Sequence, residues 1–367
     1  MAKKLAITLC LAISLTLIQN ANAAVISGTK CTKSGLTKTL ASKKYTCIKS
    51  GSKLIWNTGS SVDKSVAYLP WATPTTQLQI SNESKKKFQE WILTKGSNSE
   101  NIAISIDPKI EASKVDYVVK VLNLASKTLL AKDASKPQMY LSVGDEWVIT
   151  KLKSDYPIHA GFPGQNVCYE PNPFAGCAWV ESNLIFFVST STDVWSSMNQ
   201  QVLASGAHEF FHLAQGSLMK NDRGLSFYSL FSSIPSWFAE GSASFIGTAY
   251  ADKSGLAVWN NIRNEEISYY SSGRGKNEPL SSFLTNERDR PSPEGQSHRP
   301  YGIGMLACEL IVASVGMENF LEIYRGMGQG LTFNQSFLKA TNVELNDFYT
   351  KFDSMRVKIG FFPVFKG

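Results

Sequence analysis

His208-Glu209-Phe210-Phe211-His212 places two imidazoles four residues apart, with a carboxylate directly after the first. On a helix, residues i and i+4 share a face, so both rings can reach one metal ion. Glu209 lies roughly 100° further round, close enough to hold a water but poorly set as a ligand. Zinc-assisted hydrolysis needs this arrangement. The surround argues against two ordinary core histidines. Only four of the 367 residues are His. Residues 202–218 read as one helix in which Val202, Leu203, Ala207, Phe210, Phe211, Leu213, Ala214 and Leu218 leave a narrow polar stripe of His208, Glu209, His212 and Gln215. Burying that stripe is costly unless something pairs it, and a metal ion does.

Catalytic zinc normally keeps three protein ligands and an open position for water. The third candidate is Glu240, in Pro235-Ser236-Trp237-Phe238-Ala239-Glu240-Gly241-Ser242-Ala243. Proline opens a helix well at its first turn, and Glu240 sits about one turn inside. The flanking Trp237-Phe238 argues against a solvated glutamate. The neighbouring small residues allow close packing against the histidine helix. Glu240 follows His212 by 28 positions, enough chain for a turn, a loop and a returning helix.

The two motifs together resemble the gluzincin zinc metallopeptidases, in which HExxH is followed by a helix carrying W-x-x-E-G-x-A. The resemblance implies one Zn²⁺ held by His208, His212 and Glu240, with Glu209 as general base toward the attacking water and then proton donor to the leaving amine. It also implies a peptide or protein substrate. Pro300-Tyr301-Gly302-Ile303-Gly304 is similar to the P-Y-x-x-G segment that supplies an active-site tyrosine in the M1-type aminopeptidase branch. On that likeness the Tyr301 hydroxyl would stabilise the tetrahedral oxyanion. His298 is the alternative donor, and Arg299 a further one. Ser244 stands where thermolysin-like members carry an acidic partner for a histidine, so that support is expected to be absent or to come from elsewhere. The G-x-M-E-N segment with which M1 aminopeptidases grip a free amino terminus is missing, although Glu181 lies near the equivalent place. Endopeptidase and exopeptidase action both stay open. Two other classes remain as alternatives: a non-peptidase zinc hydrolase on the same scaffold, and an inactive cell-envelope binding protein.

Outside the site, residues 1–23 read as a secretory signal: Lys3 and Lys4, the apolar run Leu5–Ile18, then Ala21-Asn22-Ala23 for cleavage. No other segment reads as a membrane span, so the expected product is secreted or envelope-associated, starting near Ala24. Five cysteines then remain in a compartment where disulfides form. Cys31 and Cys47 flank a short polar segment, Cys168 and Cys177 a Pro/Gly-rich loop, and Cys308 is left on an apolar helix face. Both local pairings are easy, but spacing does not settle connectivity. Cys308 is expected as a buried thiol.

Charge is concentrated at the front. Of 37 Lys and Arg, two lie in the signal and seven in residues 24–60, which hold no acid; the rest has 28 basic against 30 acidic residues. Residues 24–57 read as a basic two-cysteine β module, similar to lysine-rich segments ending in L-x-W at the front of secreted actinobacterial proteins. Such a module suits adhesion to anionic cell-envelope polymers, a solubilising spacer being the plain alternative. Nothing resembles a nucleic-acid reading element.

A linker is expected over 58–77 and the catalytic domain over 78–367, with its active-site helices at about 200–315. The expected class is α+β with a zincin-like fold: a small mixed sheet with an edge strand over the HExxH helix, then a helical C-terminal half, with the cleft between. The pattern predicts a helix over 83–94 capped by Ser81-Asn82, strands at 102–106 and 137–143, a long helix over 111–131, and a short helix from Asp145. Residues 183–188 are expected as the edge strand. Helices follow at about 255–271, 301–315, 317–327, 333–340 and 344–357.

Overall fold

The computed structural model describes residues 28–40, 43–57, 60–61, 76–95, 102–129, 137–156, 168, 174–196, 200–220, 226–256, 258–272, 279–284 and 299–358. The signal segment and His298 lie outside these. The chain divides into two units, residues 1–66 and 67–367.

In the first unit, β1 (Thr37–Leu40), β2 (Lys43–Ser50) and β3 (Lys53–Trp56) form an antiparallel meander, and β4 (Ser60–Ser61) pairs with β2. So few residues bury little apolar surface. Tyr45 and the Cys31–Cys47 disulfide form the buried centre, while Lys30, Lys33, Lys49 and Lys53 stay exposed.

The second unit begins with α1 (Gln77–Leu93). It starts earlier than the expected cap: Thr76 accepts from the Gln79 amide, and Gln79 Oε1 accepts from the Thr76 amide. Ser81 is buried inside the helix, accepting from Trp259 Nε1 at 2.7 Å. β5 (Ala103–Ile106), α2 (Asp116–Leu129), β6 (Gln138–Val143) and α3 (Asp145–Asp155) follow. Next come β7 (Phe174–Trp179), β8 (Leu184–Ser189), and the short α4 (Asp193–Ser196).

These strands form a mixed sheet in the order β5-β6-β8-β7, with β7 alone antiparallel. This corrects the edge-strand expectation. The Leu-Ile-Phe-Phe-Val strand is interior, and the edge on its side of the sheet is β7, partly within a stretch read as a loop; β5 is the other edge. The physical reason is visible in β8, every residue of which is buried. An uninterrupted apolar run belongs to a strand covered on both faces. Ile185 and Phe187 enter the main core, while Phe186 and Val188 pack with Tyr140, Val148 and Leu152 beneath α3. The Cys168–Cys177 disulfide ties chain preceding β7 to that strand on the α3 side.

The remainder is helical: α5 (Gln200–Leu218), α6 (Phe227–Phe231), α7 (Ser236–Ala251), α8 (Trp259–Ser272), α9 (Arg299–Gly328), α10 (Phe333–Thr341) and α11 (Leu345–Lys358). The mixed α+β class is thus present, with both local disulfides and a buried free Cys308. α9 joins the two expected helices end to end through Gly316, whose φ of 79° favours glycine. Together they are long and apolar enough to cross a membrane, contrary to the expectation for this region; 72% of the apolar window is buried inside the unit.

Candidate metal centre

Two helix crossings bring the site together. A Cβ on Gly304 would lie 1.9 Å from the Trp237 carbonyl oxygen, and one on Gly241 would lie 2.2 Å from the Gly304 carbonyl carbon. α7 and α9 therefore meet backbone to backbone, as only glycine allows. Gly247 does the same against α5, where a Cβ would stand 2.5 Å from the Ala204 carbonyl oxygen. α7 is consequently sandwiched. Every residue in it is buried except Glu240, whose side chain keeps 13% exposure. That single opening faces His208 and His212.

His208 Nε2 and His212 Nε2 lie 3.2 Å apart, and Glu240 Oε2 is 3.5 and 3.4 Å from them. Among the described residues this is the one group of His, Cys, Asp or Glu side chains able to hold a metal ion. In its absence, burial opposes a charged His212, but the charge and hydrogen bond of Glu240 prevail, helped by Glu209 and Gln215, and lift His212 to about 9. Burial likewise opposes ionisation of Glu240. The charge of His212 and the bonds from both imidazoles override it and hold the carboxyl well below its usual range.

Glu209 is buried beside β7. A Cβ on Gly176 would stand 3.2 Å from Glu209 Oε1 and 2.6 Å from the Phe187 ring, so the glycine leaves room in front of the carboxylate. The Tyr301 ring stacks on His208 at 5.7 Å between centroids and 19° between planes. Phe231 meets His212 edge-on at 5.9 Å. Glu181 is exposed in the turn between β7 and β8, and Arg299 opens α9.

Of the histidines' supports, the sequence had marked only the Ser244 position. His212 Nδ1 is 2.8 Å from Gln215 Oε1, one turn on and fully buried. Gln215 had been visible only as a member of the polar stripe. His208 Nδ1 has Ser244 Oγ at 3.5 Å, so a hydroxyl stands at the position from which no support was expected. Tyr324 and Ser242 complete the polar cluster around Gln215. No protein-family model, curated protein or solved structure matches this chain.

Proposed function

We propose that this protein is an exported zinc-dependent peptidase of the gluzincin type, with a zincin-like catalytic domain. The observation that carries the reading is the donor triangle. Zinc bonds of about 2.0–2.1 Å at tetrahedral angles place neighbouring donors roughly 3.3–3.4 Å apart. The three edges here are 3.2, 3.4 and 3.5 Å. Two imidazole nitrogens also disfavour calcium and magnesium, which take oxygen ligands.

His208, His212 and Glu240 would hold the ion, which when bound supplies Lewis acidity toward water and a carbonyl oxygen. Glu209 takes the proton of the attacking water and delivers it to the leaving amine. Tyr301, fixed against His208, donates to the developing oxyanion. Among the described residues β7 pairs on one side only, which suits an extended peptide laid along its other edge. Two disulfides fit an oxidising, extracytoplasmic compartment. The exposed lysines of the first unit fit anionic envelope polymers as a partner.

The test is metal analysis with a Glu209→Gln variant and digestion of a mixed peptide library. Zinc should bind both forms, while hydrolysis in the variant falls by about 10²–10⁴. Internal cuts define an endopeptidase, and single-residue trimming an exopeptidase. Unchanged activity in the variant overturns the mechanism. Zinc binding without peptide cleavage turns the reading to another zinc hydrolase or an inactive binding protein.

A further inference from the structure

Gln215 is a fully buried amide whose four neighbours admit only one orientation. Its Nε2 lies 2.9 Å from the Ala239 carbonyl oxygen, 3.0 Å from Tyr324 Oη and 3.1 Å from Ser242 Oγ. The hydroxyls can donate or accept, but a carbonyl oxygen only accepts. The NH₂ end must therefore face Ala239, because a flipped amide would set two acceptors against each other at 2.9 Å in a fully buried place. Oε1 is then left facing His212 Nδ1 at 2.8 Å. An amide oxygen also only accepts, so Nδ1 must carry a hydrogen.

We propose that Gln215 is a positioning residue that fixes the tautomer and ring plane of His212, reserving its Nε2 lone pair for the metal. This rests on the metal-site reading above. The chain of constraint begins on α7, at a backbone carbonyl next in sequence to Glu240. One helix thus supplies one ligand and dictates the protonation pattern of another. Among the described residues His208 has no equivalent lock: its Nδ1 faces a hydroxyl at 3.5 Å, which selects neither tautomer. The two imidazoles, alike in the motif, are unlike in their support.

The test uses the full chain loaded with zinc or with cobalt(II). In the cobalt form, the His212 Nδ1 proton should exchange slowly with water and the His208 proton quickly, read by proton NMR. Gln215→Met, which keeps volume and removes the acceptor, should weaken zinc binding by about 10–100-fold in chelator competition. It should also abolish the slow signal. Phe337→Leu, a core change on α10, serves as the stability control: a comparable fall in Tm with zinc affinity unchanged separates positioning from general loosening. Zinc bound as tightly by Gln215→Met as by wild type overturns the proposal and leaves the metal reading standing. Wild-type protein that binds neither ion overturns both. If Gln215→Met does not fold, two equally fast histidine signals in wild type still refute the lock.

Discussion

Three donor atoms 3.2–3.5 Å apart in a buried site need something positive among them. In the metal-free protein a proton on His212, facing the ionised Glu240, does this. Because His212 is raised from 6.5 to about 9 and Glu240 is held below its ordinary 4.5, the pair stabilises the metal-free fold fully between about pH 4.5 and 6.5; that contribution is lost as pH rises through about 9, or as acid protonates Glu240. The same proton competes with metal. Zinc binding at pH 7 should release one proton from His212, and affinity should rise about tenfold per pH unit until pH ~9. Calorimetry in buffers of different ionisation enthalpy counts that proton; none released would show that His212 is already neutral. His208, Glu209 and His212 were legible from their spacing alone. Gln215 was not, since an amide one turn along a helix is ambiguous until its partners on two other helices are known.

At the scale of elements, the site depends on how closely α5, α7 and α9 approach. Gly304→Ala puts a methyl group into the Trp237 carbonyl, so the helices must separate near Glu240. Overpacking of this kind costs about 1–3 kcal/mol and sometimes more. Urea denaturation should show that loss, and zinc affinity should fall with it as Glu240 moves from the histidines. Normal affinity in a destabilised variant would mean that the crossing supports the fold but not the ligand geometry. Most helices were visible in the apolar periodicity, and the small residues around Glu240 already pointed to close packing. The strand at Phe174–Trp179 was hidden because alanine, glycine and cysteine between turn residues carry no alternation. It took the edge position assigned to its neighbour, whose continuous apolar run marked it for the interior.

Across the whole molecule, stability is anchored away from the chemistry as well. Arg263 on α8 and Glu309 on α9 form a buried pair in which the single Nε–H is shared between the two carboxylate oxygens at 2.8 and 3.0 Å. Burial raises the Glu309 carboxyl even with Arg263 opposing it. Arg263→Met leaves that carboxylate alone and should cost about 3–5 kcal/mol in urea unfolding, whereas Arg263→Met with Glu309→Leu should recover most of the loss. Equal losses would show that packing, not charge, governs this site. The first unit has too small a core to depend on apolar burial. Replacing Cys31 and Cys47 by serine should remove about 3 kcal/mol and amide protection over residues 28–57. Hydrogen exchange checks this, with zinc binding by the second unit expected to persist. Retained protection would place the stability of the meander in its strands.

By itself the sequence determined the local chemistry: two imidazoles and a carboxylate on one helix, a glutamate at the head of another, a basic two-cysteine front, and an α+β content. These follow from spacing along the chain, because helical geometry converts a four-residue interval into a shared face. Tertiary structure alone decided which strand forms the sheet edge, which amide orients His212, and how near α7 and α9 approach. Those depend on contacts between residues 24 to more than 100 positions apart, such as Gln215 with Ala239 and Tyr324. Nothing in the local pattern around either partner specifies the other until the helices have packed.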